Sequence, residues 1–341
     1  MEQTPIISFI IPAYNASATL FDCVESIVKS INALCYEVII VDDCSTDLPS
    51  LQIISDYSKI HSNINIIHNE KNFRCGWCRN IGIQAARGKY IWFVDQDDYI
   101  ADNCLVHLLK ICNDGNLDIL SFDYRNVSDD GYYDAKHNLI LKSSPILTGL
   151  DYIQQCCNGD FWTSQYDANV WHSLFRREFL LANEILSPKI SYCEDLIVAL
   201  KAVVIAQKVQ SITDDYYRYR NNPQSVLNTE VGKKGRTVFD ASLFAGTQVF
   251  NMSHLVSQEY KDLKQAIADG GIWRMNSFTK RIFKLPKFEI YLFYEQVRLH
   301  PEVINDAMPF LRRINRLIIR HPYIVITFAS LLKVVYKSKW M

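Results

Sequence analysis

The sequence predicts an α/β fold in which a mostly parallel sheet is flanked by helices on both faces. Over about the first 100 residues, short apolar runs rich in β-branched residues alternate with segments of helical periodicity. The apolar runs end in polar or acidic residues. Hydrophobic residues make up 49% of the 341 residues and charged residues 21%, a composition typical of a folded globular protein.

The chain begins with a strand followed by a helix. Ile6–Pro12 is apolar and largely β-branched, and it ends at a proline, which predicts a strand buried on both faces. Residues 18–31 are predicted to be helical because Leu20, Val24 and Ile27 recur at the spacing of one helical face.

The same alternation continues to the fourth strand. Residues 37–41 are a second apolar run, residues 51–60 have helical character, and residues 64–68 form a third apolar run. A helix is predicted over 76–86 because Gly88 follows its end, where glycine is favoured. The fourth strand is predicted over 90–94.

The pattern is less regular after the fourth strand. The apolar run at 117–122 predicts another strand, and the polar, tyrosine-rich residues 126–138 predict a hairpin or loop. Apolar spacing predicts helices over 169–181 and 194–206. Residues 236–341 contain few turn signals and are predicted to be mainly helical.

Polar side chains follow three of the predicted strands. They are Tyr14-Asn15, Asp42-Asp43 and Asp95-Gln96-Asp97-Asp98. In an open parallel sheet the ligand crevice lies beyond the carboxyl ends of the strands. The sequence therefore predicts one site along this edge of the sheet.

Asp95 and Asp97 are two carboxylates separated by one residue, directly after a buried strand. Such a pair can converge on a hard divalent cation that takes its remaining ligands from water and substrate phosphates. The alternative is a solvated acidic turn. The position beside the other acidic strand ends favours the metal site.

Two pairs of charged residues near the predicted site each admit two interpretations. Asp42 and Asp43 can accept hydrogen bonds from a ribose or a base, or the segment 42–47 can cap the next helix. Arg74 and Arg79 can approach an anionic ligand, or they can be solvated arginines at the start of a helix.

Glu194 and Asp195 open an apolar helix. Carboxylates are favoured in a first helical turn by the helix dipole, which explains their presence without catalysis. The alternative is that one of them is a general base for an acceptor hydroxyl.

Taken together, these segments resemble the family 2 glycosyltransferases of the GT-A fold, particularly bacterial enzymes of O-antigen, capsule and lipopolysaccharide synthesis. The matching segments occur in family order and cover about the first 100 residues. They are Ile10–Asn15, Val41–Asp47, Arg79–Gly82 and Gly88–Asp98, with a weaker match at Val170–Arg177 and Glu194–Leu196.

The resemblance implies a role for each matching residue. The donor nucleotide and its sugar would be bound by Pro12, Tyr14, Asn15, Asp42, Asp43, Arg74, Arg79, Asp95 and Gln96. Asp97, with Asp95, would bind Mn²⁺ or Mg²⁺, and Asp195, beside Glu194, would be the base of a single inverting displacement. The family often has glycine at positions 44 and 74, where this chain has Cys44 and Arg74, so the backbone there is in question.

The resemblance also implies an activity. The expected reaction moves a hexose from UDP-glucose or UDP-galactose to a hydroxyl of an undecaprenyl-diphosphate-linked sugar, and it forms a β-linkage. A UDP-N-acetylhexosamine donor with a capsule or lipooligosaccharide acceptor is the alternative. A nucleotide-sugar pyrophosphorylase is disfavoured because no glycine-rich loop follows the first strand, and an inactive sugar-binding scaffold is the non-enzymatic alternative.

The expected organisation is a GT-A domain over 1–230 and a helical region over 231–341. A nucleotide-sugar half is expected over 1–125 and an acceptor half over 126–230.

Residues 311–341 are basic and contain no acidic residue, which predicts an amphipathic tail on the inner leaflet of the membrane; packing on the domain is the alternative. We expect a cytoplasmic, peripheral membrane protein, since the first residues do not read as a secretory signal. The net charge of −1 gives no reason to expect nucleic acid as a partner.

Overall fold

The computed structural model describes residues 4–30, 35–128, 142–157, 168–190, 192–220 and 235–276. The chain divides into two compact units, Met1–Thr229 and Glu230–Met341. The predicted basic tail, residues 311–341, lies outside the described residues, as does most of the loop predicted at 126–138.

The first unit is an α/β structure. Its strands are β1 (Ile7–Ala13), β2 (Tyr36–Asp42), β3 (Ile64–His68), β4 (Tyr90–Phe93), β5 (Tyr99–Ile100), β6 (Ile119–Val127), β7 (Ser173–Arg176) and β8 (Val209–Arg220). Its helices are α1 (Leu20–Lys29), α2 (Leu48–Ile60), α3 (Cys75–Ala85), α4 (Cys104–Gly115), α5 (Gly149–Cys157), α6 (Arg177–Ala182) and α7 (Glu194–Ile205). The predicted α/β class is therefore confirmed.

The described strands form one sheet in the order β3-β2-β1-β4-β7-β6-β8-β5. Strands β3, β2, β1 and β4 are parallel to one another, and β6 is parallel to β8. Strand β7 is antiparallel to both β4 and β6, and β5 is antiparallel to β8. The sheet is thus mostly parallel, as predicted, with one antiparallel strand inserted near its centre.

One predicted element is wrong. Residues 169–181 were expected to form a single helix, but Ser173–Arg176 form strand β7 and only Arg177–Ala182 are helical. Phe175 pairs with Ile91 on one side and with Ile119 on the other. A short apolar run suits either a buried helix or a buried strand, and here the pairing with two distant strands decides the outcome.

The core beneath the site is aromatic and tightly packed. The Trp92 ring lies 5.7 Å from Phe9 and 5.0 Å from Phe122, centroid to centroid. Its indole N–H donates to the Trp171 carbonyl at 2.7 Å, so this large side chain is buried without losing a hydrogen bond. The packing fixes strand β4, which leads directly into the acidic turn.

Helix α3 lies directly against the sheet. A Cβ atom added at Gly82 would be 2.3 Å from Cγ2 of Ile10 on β1, so only glycine allows this approach. The close contact sets the height of α3, and with it the position of Arg79, above the ends of the parallel strands.

The described part of the second unit is helical. It contains α8 (Gly235–Met252) and α9 (Lys261–Asn276), with short 3₁₀ turns at Ser253–Leu255 and Gln258–Tyr260 between them. Within the described ranges, we find no helix with the length and apolar character needed to cross a membrane.

Candidate active site

The polar ends of β1, β2 and β4 meet at one edge of the sheet, as the sequence predicts. The Asp43 amide donates to the Ala13 carbonyl at 2.7 Å, which joins β2 to β1. The Gln96 side chain accepts from the Tyr14 amide at 2.6 Å and donates to the Tyr14 carbonyl at 3.3 Å. The three strand ends therefore form one hydrogen-bonded surface.

Tyr14 and Asn15 follow β1. The Tyr14 side chain is 42% exposed, so its ring is accessible to a ligand. The Asn15 side chain accepts from the Thr46 amide at 2.8 Å and from the Asp47 amide at 3.3 Å. Asn15 thereby holds the segment after β2, while Pro12 is buried within β1 beside Val41.

The Asp43 carboxylate organises the loop before α3. It accepts from the Asn69 side chain at 2.9 Å and from the amides of Phe73 and Arg74 at 2.8 and 2.7 Å. Asp42 is also buried; its carboxylate accepts from the Ser45 amide at 3.1 Å and lies 2.9 Å from Nδ1 of His68.

Capping of the next helix is carried out by Asp47. Its carboxylate accepts from the Ser50 amide at 3.2 Å at the start of α2, and Asp43 is turned to the loop instead. The capping interpretation of segment 42–47 therefore applies to Asp47.

The two positions where glycine was expected have the backbone that glycine favours. Cys44 has φ 64° and Arg74 has φ 77°. A non-glycine residue in this region costs on the order of 1–3 kcal/mol, which the surrounding hydrogen bonds must offset. Both residues thus adopt a positive φ, and the Arg74 side chain is exposed at the rim of the site.

Arg79 is buried among carboxylates from two other segments. Its Nη2 donates to Asp95 Oδ1 at 2.6 Å, its Nη1 donates to Asp195 Oδ1, and Nη1 lies 3.6 Å from Glu194 Oε1. Its side chain is only 3% exposed, so the interpretation of Arg79 as a solvated arginine is wrong.

The first turn of α7 reaches this cluster because it packs against α3. A Cβ atom added at Gly76 would be 2.9 Å from Cγ of Glu194. Asn80 adds a second attachment, since its side chain donates to the Ser187 carbonyl and accepts from the Ser187 amide, both at 2.8 Å. Asp195 is therefore brought beside the acidic turn after β4.

The partial burial of the Glu194 and Asp195 carboxylates changes their proton affinity. Burial raises the pKa of Asp195 to about 8, although the Arg79 cation acts in the opposite direction. Burial also raises the pKa of Glu194. A carboxylate with a pKa near neutrality can both accept a proton and release it, as a general base requires.

Asp98 and Tyr217 support the acidic turn from below. The Tyr217 hydroxyl donates to Asp98 Oδ2 at 2.7 Å and accepts from the Asp95 amide at 3.1 Å. The Arg220 amide donates to Asp98 Oδ1 at 2.7 Å. Asp98 is itself buried, and burial together with the charges of Asp95 and Asp97 raises its pKa well above the usual range.

Comparison with known proteins agrees with this architecture. Residues 8–177, about half of the chain, match the model for "Glycosyl transferase family 2". The chain belongs to glycosyltransferase family 2. The matched residues include the three strand ends, the acidic turn and strand β7.

Relatives of this family 2 chain include two glycosyltransferases from Bacillus species. The chain is 32% identical over 232 residues to "Uncharacterized glycosyltransferase EpsJ" of Bacillus subtilis, which covers 67% of this chain and 64% of that protein. It is 30% identical over 215 residues to "Poly(ribitol-phosphate) beta-glucosyltransferase" of Bacillus spizizenii, which covers 62% of this chain and 32% of that one.

A solved structure shares the fold. The crystal structure of Staphylococcus aureus TarS 1–349 in complex with UDP-GlcNAc superimposes with a TM-score of 0.70 at 20% identity. The match covers 98% of this chain and 92% of that one. The family 2 chain therefore has the GT-A fold that the sequence predicted.

The chemistry of the acidic turn suits a hard divalent cation. Asp95 and Asp97 are partly exposed, and carboxylate oxygens are the ligands that Mg²⁺ and Mn²⁺ prefer. Across the described part of the chain, no three His, Cys, Asp or Glu side chains are grouped as a closed metal site. A cation held by few protein ligands would complete its coordination with substrate phosphate.

Proposed function

We propose that this chain is an inverting, metal-dependent glycosyltransferase that moves a hexose from a UDP-sugar to a hydroxyl of a saccharide acceptor. The observation that carries the proposal is the placement of Asp195 on α7 beside the acidic turn after β4, joined through Arg79. A candidate base and a candidate diphosphate site thus lie on different elements that the Arg79 side chain joins.

The chain's own residues would divide the work. The exposed Tyr14 ring, with Pro12 and the Asp42-Asp43 segment nearby, would line the nucleotide site, and Arg74 at the rim would meet the negative charge of the donor. Asn15 and Gln96 would hold the strand ends in place. Asp95 would face the ribose or the phosphates.

Asp195 would act on the acceptor. A sugar hydroxyl is a poor nucleophile, so a carboxylate must take its proton as the oxygen attacks the anomeric carbon. One displacement from the face opposite the leaving diphosphate converts an α-linked donor into a β-linked product. Glu194 lies next to Asp195, and its negative charge would raise the affinity of Asp195 for the proton of the hydroxyl.

The divalent cation would be held by Asp97, with Asp95 beside it. When bound, such an ion neutralises the negative charge that develops on the leaving diphosphate. Tyr217 and Asp98 would fix the backbone from which both ligands project.

UDP-glucose and UDP-galactose are the favoured donors, and glucose is supported by the name of the Bacillus spizizenii relative, a beta-glucosyltransferase. UDP-N-acetylglucosamine is the second candidate, because the TarS structure of the same fold holds that donor. The favoured acceptor is a saccharide on a polyprenyl diphosphate lipid reached at the inner leaflet. A polyol-phosphate polymer, as named for the relative, is the alternative.

The test is transfer by the purified full chain with Mn²⁺. The donor panel contains UDP-glucose, UDP-galactose and UDP-N-acetylglucosamine, and the acceptors are an N-acetylhexosamine diphosphate lipid and a poly(ribitol phosphate) chain. We expect one donor to be transferred with β-configuration at the new bond. Absence of both transfer and UDP binding across the panel would refute the proposal.

Two variants separate an enzyme from a scaffold. Asp195→Asn should lower kcat by about 10²–10⁴-fold, the usual contribution of a general base. Asp97→Ala should abolish the stimulation by Mn²⁺. Asp102→Ala, which removes an exposed carboxylate beyond β5, is the matched control and should retain full activity.

A further inference from the structure

Arg79 joins the two halves of the candidate site through a single side chain. Its two terminal nitrogens each donate to a different carboxylate, Asp95 after β4 and Asp195 on α7. These two residues are 100 positions apart in the sequence. Nη1 of Arg79 also lies 3.6 Å from Oε1 of Glu194, so both carboxylates of the first turn of α7 face this guanidinium.

The exposed fractions of these side chains show their order from the protein surface inwards. The carboxylates are partly exposed: the side chains of Asp95, Asp195 and Glu194 are 25%, 21% and 16% accessible. The Arg79 side chain is 3% accessible. The guanidinium is therefore more deeply buried than the carboxylates, and a ligand approaching from solvent would meet the carboxylates first.

We infer that Arg79 is a positioning residue, which fixes the Asp195 carboxylate relative to the acidic turn and does not itself bind the donor. The inference rests on the proposed function of Asp195 as the base. It revises the role in donor binding that the sequence resemblance implied for Arg79.

The planar fork of arginine is required for this role. A guanidinium presents parallel donors in a fixed plane, so it can hold two carboxylates at a set separation. A lysine ammonium is a point charge on a flexible stem and can neutralise the cluster without fixing that separation. Charge and geometry can therefore be tested separately.

The fold should tolerate loss of Arg79. The Asn80–Ser187 pair attaches α3 to the segment before α7 through two hydrogen bonds that do not involve Arg79. Gly82 against Ile10 holds the other end of the same helix to the sheet. Variants at Arg79 should consequently retain the arrangement of the elements.

The first experiment separates kcat from donor binding. Arg79→Lys and Arg79→Met should each lower kcat by about 100-fold, the cost of a catalytic group displaced by roughly an ångström. The dissociation constant of UDP, measured by calorimetry with Mn²⁺, should stay within about threefold of wild type. A loss of UDP affinity as large as the loss in kcat, or an unchanged kcat, would overturn the inference.

The matched control is Arg87→Met. Arg87 also pairs with a buried carboxylate, Glu37, at 3.1 Å, but at the opposite end of the strands. Its loss should lower thermal stability while leaving kcat and UDP binding unchanged. A fall in kcat for Arg87→Met equal to that of Arg79→Met would show that general destabilisation explains both.

A second experiment does not depend on transferase activity. The melting temperatures of Arg79→Met, Asp195→Asn and the double variant form a double-mutant cycle. We expect the double variant to be more stable than the sum of the single losses predicts, because each single variant already removes the Arg79–Asp195 contact. Additive losses of melting temperature would contradict the contact between Arg79 and Asp195. If the losses are coupled but the enzyme transfers sugar to none of the acceptors, the contact stands and only the proposed function is refuted.

Discussion

At the scale of the residue, the environment of Asp195 decides how the site can respond to pH. Burial raises its pKa to about 8, and the nearby carboxylates of Glu194 and Asp95 act in the same direction. Arg79 opposes them. Since the ionised form is the base, the carboxylate is active above this pKa and inactive below it.

We therefore predict that kcat rises with pH. With saturating donor and Mn²⁺, log kcat should increase with a slope of about one below pH 8 and reach a plateau above it. The measurement is an initial-rate profile between about pH 6 and 9.5, with UDP binding recorded at each pH as the control. A flat profile over this range would contradict the role of Asp195.

Arg79 also shows which properties of a single residue can be predicted from the sequence and which cannot. Its position in Arg79–Gly82 was recognisable, but two interpretations stayed open because burial depends on partners 16 and 116 positions away. Tyr217 was missed for the same reason. Its hydroxyl bonds to Asp98 and to the Asp95 amide from a strand more than 100 positions away, and no local pattern marks one tyrosine among several.

At the scale of the element, α3 can keep its position only while Gly82 has no side chain. Gly82→Ala would place Cβ 2.3 Å from Cγ2 of Ile10, which is bonded close to the backbone and cannot swing away. We expect a loss of about 1–3 kcal/mol in the free energy of unfolding by urea, as for other overpacked cores.

The control lies on the other side of the same helix. Gln84→Ala changes an exposed position of α3 and should alter the free energy of unfolding by less than about 0.5 kcal/mol. Equal stability of Gly82→Ala and Gln84→Ala would show that α3 can move away from β1.

Strand β8 supports the acidic turn through one hydroxyl. Tyr217→Phe removes the acceptor of the Asp95 amide and the donor to buried Asp98, so we expect a loss of about 1–3 kcal/mol and weaker activation by Mn²⁺. Tyr216→Phe is the matched control, since its hydroxyl bonds exposed His107 and Asp214. If both variants behaved alike in the Mn²⁺ titration, the link from β8 to the metal ligands would be refuted.

The elements also differ in how well the sequence predicts them. Strand β3 occupies the predicted residues 64–68, because a short β-branched run between polar segments admits one interpretation. Strand β7 was predicted as part of a helix, because Ser173–Arg176 become a strand only through pairing with β4 and β6. Local patterns therefore predict the parallel half better than the antiparallel insertion.

At the scale of the whole molecule, the basic tail over 311–341 remains a prediction. Its seven cationic residues are Arg312, Arg313, Arg316, Arg320, Lys333, Lys337 and Lys339. Each lysine or arginine near an anionic surface contributes about 1 kcal/mol of binding energy, so the segment has enough charge for peripheral attachment.

Deletion of residues 311–341 should release the protein from anionic liposomes in a sedimentation assay. Replacement of the four arginines by glutamine should also weaken binding to anionic liposomes. Raised salt should weaken the binding of the wild type. Binding to purely zwitterionic liposomes is the control and should be weak throughout. Unchanged sedimentation of the deletion variant would refute membrane attachment by this tail.

The order of the strands has a consequence for engineering and for evolution. Strand β7 pairs on one side with β4 and on the other with β6. A strand from after the acidic turn therefore lies within the same sheet as β4, which leads into that turn. The parts of the chain before and after β7 are thus not structurally independent. A chimera of two relatives joined between β6 and β7 would have to match two foreign strand neighbours at once, so new specificities should arise more readily by substitution in the surface loops than by recombination.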